Sequence, residues 1–313
     1  MTNQVRSLFH SNILETDNDS YQILCTIEFN QYVSVHHALS QNTHQKVVIK
    51  FISSSYPFYE SSLKGCEILR TFSHPNVVQI HDSFRLTDES SKELFVIIMD
   101  HYPDIDLFYY LRDYGPLCEN QARLVMKQLA SALLHISTQG IVHRQIIPEN
   151  ILIQRENYSD QDLSQLQVAL TGFTAASQIT KAPSIQTCNS FEDDPYAAPE
   201  LLTSQQSTIL TDVYSLGIIF YQLLTCETPK GYVHSLHLNQ DPFEGEMWST
   251  VSPEMKDLIK GMIDPNPNTR FTPEEIINHK ALIHVNPNKF KHERLLSSFL
   301  DNIPSFEETS QYF

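Results

Sequence analysis

The stretch Ile141-Val142-His143-Arg144-Gln145-Ile146-Ile147-Pro148-Glu149-Asn150-Ile151-Leu152 decides how this chain is read. Just before it, Leu117 to Gln139 carries Leu124, Val125, Leu129, Leu133 and Leu134 at helical spacing. Beyond it, Thr211 to Cys226 is almost wholly apolar and is expected as a helix buried on all sides. Ser252 to Ile263 opens with Ser-Pro-Glu, an N-cap with proline in the first turn, and Thr272 is the expected cap of a short helix over Pro273 to Asn278. Ahead of the stretch, Ile23-Leu24, Tyr32-Val33-Ser34-Val35, Val47-Val48-Ile49, Val77 to Ile80 and Leu94 to Met99 read as strands, with a helix over Phe58 to Thr71. Strands in the first third and helices in the rest predict an α+β protein, a sheet lobe followed by a helical lobe.

At 313 residues the chain suits one two-lobed domain or two small ones, and a hydrophobic content of 41% supplies a sizeable core. A formal net charge of −16 argues against nucleic acid or an anionic membrane as the main partner. Cys25, Cys66, Cys118, Cys188 and Cys226 are scattered and contain no Cys-x-x-Cys, the pattern of a reducing compartment. No apolar run reaches membrane-spanning length, and Met1 to Asp19 is polar without a signal-peptide core. The expected location is the cytoplasm, with the nucleus left open.

The opening stretch resembles the catalytic loop of a protein kinase, I-V-H-R-D-L-K-P-E-N-I-L. Other strings stand in the order that resemblance requires. Val47-Val48-Ile49-Lys50 is similar to V-A-I-K, and His74-Pro75-Asn76-Val77-Val78 to the H-P-N-I-V after helix C. Met99-Asp100 resembles the start of the hinge, Asp106-Leu107-Phe108 the start of helix D, Ala198-Pro199-Glu200 the A-P-E, and Asp212-Val213-Tyr214-Ser215-Leu216-Gly217 the start of helix F. Arg270 follows Asp264-Pro265-Asn266-Pro267 where the family has an arginine that pairs with the A-P-E glutamate. The chain thus resembles serine/threonine kinases of the calmodulin-dependent/AMP-activated type. The resemblance implies a two-lobed fold: a five-stranded sheet with helix C, then a mainly helical lobe. It divides the chain into an N-terminal extension (1–20), a kinase-like domain (21–283, with lobes 21–99 and 104–283) and a C-terminal tail (284–313).

The same resemblance shows what is missing. Phosphoryl transfer in the family rests on positioning and electrostatics. The Gly-rich loop is replaced by Ile27 to Val35, with Glu28, Asn30 and Val33 at the glycine positions, where side chains block the approach of phosphates to backbone amides. Val48 stands for the alanine over the adenine, and added volume in such a slot costs about 1–3 kcal/mol. Lys50 is kept, but the position of its glutamate partner is Gly65; Glu67 lies on another side of the helix and Glu60 is a turn away. Lys50 is therefore expected to pair elsewhere or stay solvated. Gln145 replaces the aspartate base, a loss of roughly 10²–10⁴ in rate. Ile147 replaces the lysine that steadies the phosphate. Gly172-Phe173-Thr174 stands for D-F-G, so Asn150 loses the carboxylate that would share its magnesium.

The residues that remain have structural roles in the resemblance. His143 and Phe173, with Leu69 and Ile80, would form an apolar spine between the lobes. Val35, Leu107, Leu152, Ile219 and Leu223 would form a second, which adenine completes. Asp212 would anchor the catalytic loop, Glu200 and Arg270 would pair, and Arg144 is either a remnant or a dock for an anion such as the carboxylates of Asp193 and Asp194. The vestigial nucleotide cleft comprises Lys50, Asn150, Val35, Val48, Met99, Asp106 and Leu152. The expectation is a pseudokinase: an inactive domain that scaffolds or allosterically regulates a protein partner, an active kinase or its substrate. No metal is expected, and ATP only weakly. The alternative is a divergent serine/threonine kinase with weak ATP-dependent activity, or a nucleotide-binding inactive switch.

Overall fold

The computed structural model describes residues 12–87, 91–102, 105–155, 166–179, 194–204, 206–229 and 242–283. Six strands form the first sheet: β1 (Ile13–Glu15), β2 (Ser20–Phe29), β3 (Val33–Ser40), β4 (Lys46–Ser53), β5 (Ile80–Thr87) and β6 (Glu93–Asp100), in the order β1-β2-β3-β4-β6-β5. All neighbours are antiparallel. Helix α1 (Tyr59–Leu69) lies between β4 and β5 in sequence. The second half holds α2 (Leu107–Tyr114), α3 (Glu119–Thr138), α4 (Pro199–Ser204), α5 (Ile209–Thr225), α6 (Pro253–Met262), α7 (Pro273–Ile277) and α8 (Lys280–Ile283). Short hairpins β7 (Ile141–Val142) with β10 (Ser177–Gln178), and β8 (Ile151–Arg155) with β9 (Leu166–Leu170), complete it. This is the expected α+β, two-lobed architecture.

The period-2 alternation of β4 sorts its side chains between two cores. Val47, Ile49 and Phe51 join Tyr21, Ile23, Ala38, Val96 and Ile98 on the outer face. Ile52, with Val33 and Ile97, joins the main core, which continues through the helical lobe. That parity puts Lys50 on the inner face, towards the other lobe. Helix α5 is buried along nearly its whole length, as its apolar run predicts. Ser252 caps α6 by accepting from the Met255 N–H at 3.3 Å, and Thr272 and Glu275 form a capping box on α7.

Two expectations change. The sheet has one strand more than five, because Ile13–Glu15, within the expected extension, pairs with β2 and buries Leu14 in the outer core. A three-residue strand carries too little alternation to be read from sequence. Val77 to Ile80 is not a strand; β5 starts at Ile80. Val78 instead donates its N–H to the Leu170 carbonyl (3.0 Å), and the Leu170 N–H returns to the Asn76 carbonyl (2.9 Å). The His74-Pro75-Asn76 turn thereby ties the sheet lobe to β9. The tail 284–313, and Asp193 before Asp194, lie outside the described residues.

The helical lobe is clamped by Arg270, whose side chain is fully buried. Its guanidinium donates to both carboxylate oxygens of Glu200 (2.6 and 2.8 Å) and to the Asp264 and Leu210 carbonyls, and it lies over the Tyr214 ring. A satisfied buried pair is costly to break because one charge stays behind unpaired. We expect Glu200→Ala to lower stability by about 3–5 kcal/mol in urea denaturation; a loss under 1 kcal/mol would show that the pair is not structural.

Candidate functional site

The site lies where the catalytic-loop stretch meets the sheet lobe. Its frame is Asp212 near the start of α5. One carboxylate oxygen accepts the His143 backbone N–H (2.6 Å) and the other the Arg144 N–H (2.8 Å). Arg144 has a left-handed backbone, φ 67°, which disfavours a residue with a side chain, so the loop is held by the acceptor it meets. Burial pushes the Asp212 carboxyl up to about 7, against the two N–H groups and the Arg144 charge, which pull it down.

His143 is fully buried and bridges two segments. Its Nε2 donates to the Thr171 carbonyl (2.9 Å), and its Nδ1 accepts the Gln145 N–H (3.2 Å). That pattern needs the neutral ring, and burial lowers its pKa to about 4. The ring meets Phe173 edge-on, centroids 4.5 Å apart, and Phe173 meets Phe72 at 5.5 Å. Leu69 and Ile80 of the first expected spine are buried in the same core as Phe173. Of the second, Leu107, Ile219 and Leu223 are buried in that core, Val35 packs against it, and Leu152 is half-buried and bridges Asp106. Val48 and Met99 are also half-buried, and Asp106 caps α2 through the Tyr109 N–H (3.0 Å).

At several positions where this chain departs from the expected kinase pattern, the residues present make internal contacts. Gly172 is left-handed, φ 83°, and a Cβ built on it would overlap the carboxamide of Asn150. That carboxamide donates to the Gln145 carbonyl (2.9 Å). Gln145 itself points to solvent, and Ile147 is half-buried. Gly65, on the buried side of α1, sits so close to the segment Phe173–Ala175 that a Cβ would overlap the Phe173 carbonyl oxygen. A glutamate at 65 has no room in this arrangement. In the β2–β3 hairpin, Asn30 accepts the N–H groups of Tyr32 (2.9 Å) and Val33 (2.8 Å). The amides at the tip are thus satisfied within the turn, the behaviour of an asparagine-built turn that the residue type signals. Sequence reasoning also missed the aromatic run Tyr32–Tyr56–Phe58 beside this turn, with centroids 5.7 and 5.5 Å apart.

Lys50 is half-buried on the inner face of β4. Among the described residues no hydrogen bond or ion pair reaches its Nζ, and burial lowers its pKa against the charge of Glu28. Arg144 likewise keeps a buried Nε with no partner, and Asp194 does not pair with it but caps its own turn through the Tyr196 N–H (2.9 Å). Asp194 and Glu149 are both raised by burial.

A protein kinase domain matches residues 26–282, most of the chain. This chain belongs to the protein kinase family. Among curated proteins, the kinase domain is 28% identical to the serine/threonine-protein kinase cds1 of Schizosaccharomyces pombe, over 86% of this chain and 59% of that protein. It is 27% identical to the mouse serine/threonine-protein kinase DCLK3, over 83% of this chain and 32% of the relative. It is 29% identical to the probable serine/threonine-protein kinase fhkE of Dictyostelium discoideum, over 79% and 36%. The chain thus spans between a third and three-fifths of these relatives. No helix among the described residues is long and apolar enough to cross a membrane.

Two outcomes follow from this geometry. Gly65→Ala forces α1 off the Phe173 carbonyl; we expect a loss of about 1–3 kcal/mol or more, with faster amide exchange in α1 and at 173–176. Unchanged exchange would mean that α1 does not rest on that carbonyl. For His143 the folded pKa, about 4, lies below the ordinary 6.5, so its stabilising effect is full above 6.5 and is lost as pH falls through 4. Asp212, shifted the other way, partly offsets this in the same interval. We expect stability to fall more steeply between pH 6.5 and 4 in the native chain than in His143→Phe; equal slopes would show that the ring is protonated in the folded state.

Proposed function

We propose that this kinase domain acts by binding rather than by phosphoryl transfer, as a pseudokinase that scaffolds or allosterically regulates a protein partner, an active kinase or its substrate, in the cytoplasm. The observation that carries this reading is the Asn150–Gly172 contact. The place from which a D-F-G aspartate would reach a metal is taken up by the Asn150 carboxamide, which bonds to the Gln145 carbonyl instead. A divalent cation wants several oxygen donors, at least one of them charged, and these residues do not supply that set. Supporting observations are Gln145 in place of the base, the Asn30 turn that uses the hairpin amides, and Gly65 packed where a lysine partner would stand.

What is kept supports the same reading. Asp212 and His143 hold the loop, Phe173 meets Phe72 and the Gly65 side of α1 in the sheet lobe, and Glu200 and Arg270 clamp the helical lobe. A fixed surface suits recognition of a partner. The second reading, a kinase with weak activity, is favoured by the names of its relatives and by Lys50 facing the cleft.

The two readings separate in a thermal-stability measurement with millimolar ATP, with and without Mg²⁺ or Mn²⁺. A ligand at about 100 times its dissociation constant adds roughly 2.7 kcal/mol. We expect no shift under either condition and no transfer of the γ-phosphate to a protein substrate. A metal-dependent shift accompanied by transfer overturns the proposal.

A further inference from the structure

Strand β2 is longer than the partner on its outer side. The antiparallel register Ile13↔Gln22, Leu14↔Tyr21 and Glu15↔Ser20 covers only its first residues. Over residues 23–29, β2 has β3 on one side and, among the described residues, no strand on the other. The backbone groups that point away from β3 there lack a strand partner, and such an edge is a template for pairing. Leu24, Ile27 and Phe29 are exposed along the same seven-residue run. Single apolar side chains on a surface are ordinary, but three on one open edge mark a place that another segment can cover.

The direction of the chain names the occupant. Because β1 runs antiparallel to β2, the residues before Ile13 lead along this edge towards Phe29. Counting the register back puts Asn12 beside Ile23, where β2 carries a bulge between Ile23 and Cys25. A bulge bends its strand. Asn12 has a left-handed backbone, φ 60°, a kink that asparagine tolerates better than most residues. Extended, Val5-Arg6-Ser7-Leu8-Phe9-His10-Ser11 spans about 24 Å, enough to run beside residues 23–29. It carries Val5, Leu8 and Phe9 to the edge that exposes Leu24, Ile27 and Phe29. It holds no acidic residue, and Arg6 comes to the end of β2 that bears Glu28, the one charged residue of 23–29. A second copy of the chain, with its net charge of −16, lacks that complementarity.

We propose that the free edge of β2 is a docking surface for the chain's own residues 5–11, which continue β1 along it. Main-chain groups of the segment pair with the edge, Val5, Leu8 and Phe9 cover its apolar side chains, and Arg6 meets Glu28. The docked segment steadies the strand that leads into the Asn30 turn. A partner that adds a strand of its own to this sheet has to displace the segment first, so the segment guards the edge. The inference stands on the sheet edge and is independent of whether the domain transfers phosphate.

The test is amide hydrogen exchange on the full chain, read by peptide mass over residues 23–29, in the native protein, in Leu8→Asp/Phe9→Asp and in Arg6→Glu. Exchange in α5, far from the edge in sequence and buried, is the internal control for folding. We expect residues 23–29 to exchange roughly tenfold faster in the double variant than in the native chain, with α5 unchanged. Arg6→Glu should give a smaller increase that shrinks in high salt, as an exposed ion pair does. Equal exchange at 23–29 in all three proteins overturns the proposal. Protection that survives in the double variant and grows with protein concentration also overturns it, and assigns the edge to a second copy.

Discussion

The carboxylate of Asp212 is the point on which the loop depends. It is buried at the start of α5 and takes two consecutive backbone N–H groups, from His143 and Arg144. A buried acceptor meeting two donors is worth far more than one in water, because neither donor has solvent to return to. That pair of bonds holds Arg144 in its left-handed conformation and aims the His143 ring at Thr171 and Phe173. Phe173 in turn gives α1 a surface to lie on. The chain of contacts runs from helical lobe to sheet lobe through one histidine.

A second set of contacts lies at positions where this chain departs from the kinase pattern. Gly65 lets α1 approach the Phe173 carbonyl, and Gly172 lets the Asn150 carboxamide close against the backbone. Asn30 consumes the amides of the hairpin tip. At each of these positions the residue present makes an internal contact. Restoring a single side chain would have to displace such a contact, so the positions are coupled through packing as well as through chemistry.

Electrostatics follow the same division. The charges that are kept for architecture, Arg270 and Glu200, find each other completely. The charges around the cleft do not. Among the described residues no hydrogen bond or ion pair reaches Lys50 and the Arg144 Nε is buried without a partner, while Glu149 and Asp194 are pushed up by burial. Unpaired charge in a cleft is unfavourable for stability and is the natural handle for a ligand or a reaction.

By itself the sequence determined the fold class, the ordered motifs and the list of missing groups, because these depend on residue type and spacing alone. The Ser252 and Thr272 caps and the buried α5 were legible for the same reason, and the Glu200–Arg270 pair was implied by the kinase resemblance. Only the tertiary structure decided what fills each gap. The added strand Ile13–Glu15, the turn of Val77-Val78 towards Leu170, the closure of Asn150 on Gly172 and the isolation of Lys50 all depend on how closely two distant segments approach. A missing side chain leaves no trace in sequence of its replacement, because the replacement is a backbone or amide group that every chain possesses and that packing alone selects.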